Sequence, residues 1–383
     1  MRLKSNVFGK YTELEVDLHD IEIEKYPYFK LSYQDSVWSR VLERAKEING
    51  SFDKVIFVGM GGSSMGGKTL SHYYSPFSSK IDFWDSIDPV FIKTKLSQID
   101  SLENVHWVFT SKSGGTLETI EILNGIERLY NDEEKLKKHF TIITEDKDSK
   151  LKTYANKYHL KCLDHPLDVG GRFSALTAVG LMPLAVVCPD IFLQLQSEAQ
   201  SWEVTPDLKE FSKNIIASWS RGEWISVLWP YDERLREFAG WAQQLWAESL
   251  GKKLDLNGKP AKPVSMPVYL HGCKDQHSVL QQIVEGQKDK FLIFFENSSR
   301  KNEKMSLFDI MRTKTPESLN NKVNHVTISY DSVFDLILSF EYVIIQLGDF
   351  LQIDPFDQPG VEDSKILFKQ SLSAMGSPQS LFE

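Results

Sequence analysis

In the stretch "YDERLREFAGWAQQLWAESLGKK" (231–253), Leu235, Phe238, Ala242, Leu245 and Ser249 fall on one face of a helix. Gln244 and Glu248 fall on roughly the opposite face, beside Trp241. A carboxylate next to an indole is equipped as a general base, because partial desolvation moves its pKa toward neutrality. The plainer alternative is a solvated acid paired with Lys252 one turn on. "HGCKDQHSVLQQIVEG" (271–286) adds His271 and His277, the side chains that carry protons near neutral pH. Read locally, each is equally a structural or surface histidine. Lys365 follows a Pro- and Gly-rich turn, "IDPFDQPGVEDSK" (353–365), and taken alone is a surface lysine.

Three further stretches are suited to holding an anion. "FTSKSGGTLET" (109–119) ends an apolar run in a loop where Ser111, Ser113 and Thr116 donate hydroxyls and Lys112 supplies charge. Free backbone N–H groups at the start of the next helix add to these. Hydrogen bonds to a charged group contribute about 1.5–3 kcal/mol each, so several converging donors hold a dianion without a metal. Ser113 or Thr116 also suits an N-cap with Glu118 in the first turn, and the two readings are compatible. "DVGGRFSALTAVGLMPLAV" (168–186) sets Arg172 on the threshold of a strongly apolar helix. A guanidinium there can face an oxyanion in a poorly hydrated site, or simply pair with Asp168.

"KVIFVGMGGSSMGGKTL" (54–70) allows three readings. From Gly62 its letters satisfy the nucleotide phosphate-loop pattern G-x-x-x-x-G-K-T. The dinucleotide fingerprint fails, since Ser64 stands where its third glycine belongs. The third reading is a glycine-rich turn packing a strand on a helix.

The elements that must position these residues follow from the apolar pattern. Short runs at Val55–Val58, His106–Phe109 and Phe140–Thr144, then Trp224–Leu228, Phe291–Phe295 and Val326–Ile328, alternate with helical segments. One such segment is 116–130, where Leu117, Ile120, Leu123, Ile126 and Leu129 recur every three residues. This alternation predicts an α/β fold, mainly parallel sheets flanked by helices, in two similar halves at 1–189 and 190–383. The 383 residues carry 53 acids and 44 bases, net charge -9, so no basic field invites nucleic acid or anionic lipid. Three scattered cysteines, Cys162, Cys188 and Cys273, propose neither a disulfide framework nor a zinc site. The opening residues lack a secretory h-region. The greasy stretch 333–351 is interrupted by Asp335, Ser339, Glu341 and Gln346, which suits a largely buried amphipathic helix better than a membrane span. A cytoplasmic protein is expected.

Taken together and in this order, the segments resemble phosphoglucose isomerase. "GMGGSSMG" resembles that family's glycine loop, "SKSGGTLET" its phosphate loop and "VGGRFSALTAVGLMPLA" its arginine signature. "QLWAESLGK" resembles its catalytic-glutamate helix, and "DQHS" and "FDQPGVEDSK" its histidine and C-terminal lysine segments. The matches span residues 59–365. The phosphate loop departs from the family's usual threonines at Ser113 and Gly115, and Ser364 stands where the family commonly has glycine.

The resemblance implies two sugar isomerase-type α/β subdomains and an aldose–ketose isomerase acting through a cis-enediol. Glu248 would move the proton between C1 and C2, and Arg172 would steady the enediolate. His277 and Lys365 would assist ring opening, with Glu118 orienting the histidine. The substrate phosphate would sit on Gly61, Gly62, Ser63, Ser111, Lys112, Ser113 and Thr116, with Gln244 and Gln358 adding amide contacts. Such chemistry calls for no metal or redox cofactor. The family's histidine reaches into a neighbouring subunit's site, which implies a homodimer. A dual phosphoglucose and phosphomannose isomerase, a sugar-phosphate-binding regulator and an ATPase are the alternatives.

Overall fold

The computed structural model describes residues 1–7, 18–302 and 305–375. The apolar runs form the interior strands of two five-stranded sheets. In the first sheet these are β2 (Lys54–Val58), β4 (Val105–Thr110) and β5 (Phe140–Glu145), with β3 (Ile81–Trp84) and β6 (Lys161–His165) at the edges. Its order is β3-β2-β4-β5-β6, and every pairing is parallel. Every residue of β4 and β5 is buried, because a parallel sheet covered by helices on both faces leaves no strand position for water. Trp84, Trp107, Phe109 and Phe140 form the aromatic centre of this core.

The second sheet comprises β1 (Arg2–Asn6), β7 (Ile225–Pro230), β8 (Met266–Tyr269), β9 (Lys290–Asn297) and β10 (His325–Tyr330). Its order is β1-β10-β9-β7-β8, parallel throughout except where β1 runs antiparallel to β10. Trp229, Leu292 and Phe294 fill its core. The six runs read from the sequence are the six interior strands. Of the four edge strands, RLKSN and KCLDH are mostly polar, IDFW is interrupted by Asp82 and MPVY by Pro267, so the apolar pattern does not mark them.

Two compact units result: Lys30–Ser197 with Gln358–Glu383, and Met1–Phe29 with Glu198–Asp357. The first carries β2–β6 and the second β1 and β7–β10. These units differ from a division at 189/190. The first strand pairs with β10, with Arg2 opposite Ser329, so the opening residues belong with the second sheet.

One helix departs from its expected face. The helix Leu117–Tyr130 buries Thr119, Ile122, Leu123, Ile126 and Tyr130, while Leu129 is exposed. A strict three-residue row slips by about 60° per step on a helix of 3.6 residues per turn, so its ends leave the buried face. The helix Val333–Leu351 is buried along most of its length, including Ser339, Glu341 and Gln346. Ser339 accepts the Trp202 indole N–H at 3.1 Å, and Gln346 accepts the Ser212 hydroxyl at 2.7 Å. Among the described residues no helix is long and apolar enough to cross a membrane.

Candidate active site

In the first unit, β2 ends at Val58, and residues 59–61 lead directly into the helix Gly62–Tyr74. Gly61, its N-cap, has φ 52, and a Cβ on Gly62 would stand 2.4 Å from the Gly171 carbonyl and 2.8 Å from the Arg172 nitrogen. Only glycine lets this helix start lie against the short 3-10 turn Gly171–Leu176 that carries Arg172. The Ser174 hydroxyl ties the two together by donating to the Gly62 carbonyl at 3.0 Å. Ser63 is partly exposed on the first turn, and its hydroxyl makes no hydrogen bond among the described residues.

The same geometry disposes of a nucleotide cradle. The helix starts at the first glycine of GSSMGGKT, so Lys68 and Thr69 lie well inside it. Lys68 Nζ pairs with Asp85 at 2.5 Å, and buried Thr69 donates to the Met65 carbonyl at 2.9 Å. The letters therefore lie in the first turns of a helix and form no phosphate-cradling loop.

The loop after β4 is held at both ends. Ser111 is buried and its hydroxyl meets that of Thr116 at 2.8 Å. Gly114 has φ +64, where a Cβ would lie 2.1 Å from the Ser149 hydroxyl. Ser113 is exposed, its hydroxyl accepting from the Gly115 N–H at 3.3 Å. Thr116 occupies the N-cap of the next helix, yet its side chain does not bond to that helix's backbone. Its hydroxyl is turned to Ser111 instead, so the loop keeps its hydroxyls grouped. Glu118 follows in the first turn. Lys112 Nζ stands 3.8 Å from one oxygen of buried Glu145, while Lys147 holds the other oxygen. Two cations thus share one buried carboxylate. Glu145, at the end of "TIITE", is a supporting residue that no local motif reveals.

Arg172 is 3% exposed and donates to Gln358 Oε1 at 3.1 Å across 186 positions of sequence. Its guanidinium also lies 5.6 Å from the Phe173 ring centre. Gln358 precedes the turn Pro359–Val361, and Lys365 lies on the helix Glu362–Met375, exposed and paired with Glu362 at 2.7 Å. The first unit therefore brings Gly62 against Arg172, Arg172 to Gln358, and Ser111 to Thr116.

In the second unit the helix Arg236–Leu250 buries Phe238, Ala242, Leu245 and Ser249, with Leu235 just before it. On its half-exposed side the Gln244 amide donates to Glu248 Oε1 at 2.9 Å. Lys252 donates to the Glu248 backbone carbonyl at 2.9 Å and pairs with the Asp357 carboxylate at 2.8 Å, anchoring the helix end. Trp241 is buried and packs against Phe238, with ring centres 5.7 Å apart. His277 follows the short helix Gly272–Gln276. It is exposed, and its ring makes no hydrogen bond among the described residues. Asp275 shapes the turn beneath it, accepting the His271 N–H at 2.6 Å and the Ser278 hydroxyl at 2.8 Å. His271 is packed edge-on to Tyr269, and burial, with Arg236 nearby, holds its imidazole below the usual pKa. The second unit thus offers an oriented carboxylate and a presented imidazole.

The family model described as Phosphoglucose isomerase matches residues 44–311. The chain is 31% identical over 358 residues to a glucose-6-phosphate isomerase of Campylobacter jejuni, covering 84% of this chain and 85% of that one. It is 29% identical over 372 residues to a glucose-6-phosphate isomerase of Methanocaldococcus jannaschii, covering 90% of each. Among solved structures, a hypothetical protein from Thermus thermophilus superposes with a TM-score of 0.80 at 26% identity, over 95% of this chain and 92% of that one. A glucose-6-phosphate isomerase from Chlamydia trachomatis shares the fold with a TM-score of 0.77 at 23% identity, over 95% of this chain and 77% of that one. With the family match extending over more than half of its residues, this chain belongs to the phosphoglucose isomerase family.

Proposed function

We propose that the protein interconverts glucose 6-phosphate and fructose 6-phosphate by moving a proton between C1 and C2 through a cis-enediol. The observation that carries this reading is the Gln244–Glu248 pair, a carboxylate held in one orientation at 2.9 Å on the half-exposed side of a helix whose other face is core. Proton abstraction beside a carbonyl requires such a base, a fixed counter-charge for the oxyanion and an anchor for the far end of the substrate.

In this reading Glu248 is the base and Arg172 the counter-charge. Gly61, Gly62, Ser63, Ser111, Lys112, Ser113 and Thr116 hold the phosphate, with Gln244 and Gln358 adding amide contacts. His277 and Lys365 serve the ring-opening step, and Glu118 orients the histidine. Exposure of His277 supports its use by a neighbouring copy in a homodimer. The enzyme would act in the cytoplasm, in the central route of hexose breakdown and synthesis.

The test is a coupled assay in which fructose 6-phosphate is supplied and glucose 6-phosphate formation is read by its dehydrogenase. Turnover above about 1 per second is expected, within the usual range for enzymes. Absence of turnover in folded, purified protein would overturn the reading. Mannose 6-phosphate in the same assay defines the substrate breadth.

A further inference from the structure

The two sheets share one winding. In the first, the chain runs from β2 outward to β3 and then crosses back to β4. In the second it runs from β7 outward to β8 and crosses back to β9. Each sheet therefore has a switch point, between β2 and β4 in one and between β7 and β9 in the other. Open α/β sheets bind ligands outside the carboxyl ends of the strands at such points. The loops at the first switch point hold Ser63, Ser111 and Lys112. The corresponding loops of the second unit, after β7 and after β9, hold Asp232 and Arg234, and Ser298, Ser299 and Arg300.

These second loops are built around cations. Asp232 is mostly buried and receives Arg234 at 3.0, 3.2 and 2.6 Å. Burial alone would raise its carboxyl, but the hydrogen bonds and charge of Arg234, with Arg300, outweigh that and hold it below its ordinary value. Arg300 approaches the same carboxylate only to 3.9 Å, stacks 5.1 Å from the Phe308 ring centre, and makes no hydrogen bond among the described residues. Glu233 is matched by Arg236 at 3.1 Å. Arg300 thus makes one loose ion pair, and its fork of donors is not engaged in hydrogen bonds. Two residues before it, the Ser298 hydroxyl is buried without a hydrogen-bond partner. Asn297 closes the turn by accepting the Ser299 N–H at 2.9 Å and its hydroxyl at 2.5 Å. A stacked guanidinium with unengaged donors, two residues after a buried hydroxyl that lacks a partner, is suited to a planar or tetrahedral oxyanion.

We infer that the second unit carries its own oxyanion site at the β7/β9 switch point, formed by Arg300 and Ser298 with Arg234 behind them, and that it takes phosphate or a phosphate monoester. It is separate from the phosphate loops of the first unit and takes no part in the isomerisation.

Equilibrium dialysis of the full chain against radiolabelled inorganic phosphate at low ionic strength tests this. Arg300→Gln and Ser298→Ala should each remove one bound phosphate per chain, or weaken it at least tenfold, while KM for fructose 6-phosphate stays within twofold. The same loss should appear in a Ser63→Ala/Lys112→Gln background, where the first unit's loops are disabled. Failure of the first unit's assignment would therefore leave this result intact. If both variants bind as much phosphate as their parents in both backgrounds, Arg300 is only a staple between two loops and the inference is overturned. Ser298→Ala removes one hydroxyl, so it keeps the test valid should Arg300→Gln fold poorly.

Discussion

Glu248 and Glu341 show what position does to one residue type. Glu248 is half-buried and held by an amide; Glu341 lies inside the helix Val333–Leu351, and burial pushes its carboxyl well above the ordinary range. Replacing Glu248 with Gln keeps the shape and removes the base. Turnover should fall by about 10² to 10⁴, the usual cost of losing a positioned general base. Affinity for a non-reacting sugar phosphate, read by calorimetry, should stay within a few-fold, and near-parental turnover would remove Glu248 from the role. Glu341→Gln should instead stabilise the fold. With its folded pKa raised, Glu341 keeps its proton in the native state at pH values where the unfolded chain has lost it. Stability is therefore given up as pH climbs from about 4.5 toward the raised value. Thermal melts should show the variant ahead of its parent at pH 8 and the gap closing toward about pH 4.5. A gap that ignores pH would show that Glu341 is charged in the fold.

At the scale of elements, two glycines beside the proposed phosphate site behave differently. A Cβ at Gly62 would press on the Gly171–Arg172 backbone at 2.4 and 2.8 Å, whereas a Cβ at Gly115 meets nothing within 4 Å. Gly62→Ala should cost about 1–3 kcal/mol, the range for overpacking, and displace the turn that carries Arg172. Gly115→Ala should stay within about 0.5 kcal/mol. Urea unfolding of the pair is the measurement, and equal losses would mean that the helix start moves freely against the turn. The helix Gly62–Tyr74 makes a further prediction. Lys68 lies inside it and pairs with Asp85, so Lys68→Ala should isomerise at close to the parental rate, while Ser63→Ala should raise KM for the sugar phosphate. Magnesium-dependent ATP binding that disappears with Lys68 would revive the nucleotide reading.

For the whole molecule, four histidines, His106, His139, His165 and His325, are buried, and burial lowers the pKa of each ring. The fold keeps them neutral where the unfolded chain takes up protons, so stability should be lost as pH falls below about 6.5. A urea midpoint that held constant from about pH 7 to pH 5 would contradict this. The assembly is tested separately. The helix Glu362–Met375 exposes Ile366, Leu367 and Phe368, an apolar surface of the kind that a second copy would cover. Mixing His277→Ala with Glu248→Gln subunits should restore part of the activity if the histidine is given in trans. No recovery after subunit exchange, confirmed by mass spectrometry, would place His277 with its own chain.

The order of residues alone determined the interior of each sheet, because a strand covered on both faces must be apolar along its whole length, as VHWVFT and FTIITE nearly are. It also determined the chemistry on offer, since Ser111, Lys112, Arg172 and Glu248 stand in short motifs whose residue types have few uses in combination. Tertiary structure decided what depends on segments far apart. The edge strands are short and interrupted by polar residues or proline, and are specified by the neighbour they pair with, as Arg2–Asn6 is by β10. Arg172 meets Gln358 only because a turn near the end of the chain folds back onto the first unit. Ser339 and Gln346, polar interruptions in the sequence, are buried because Trp202 and Ser212 supply their partners. Each of these rests on a bond between distant residues, and a local pattern carries no record of which distant residue will arrive.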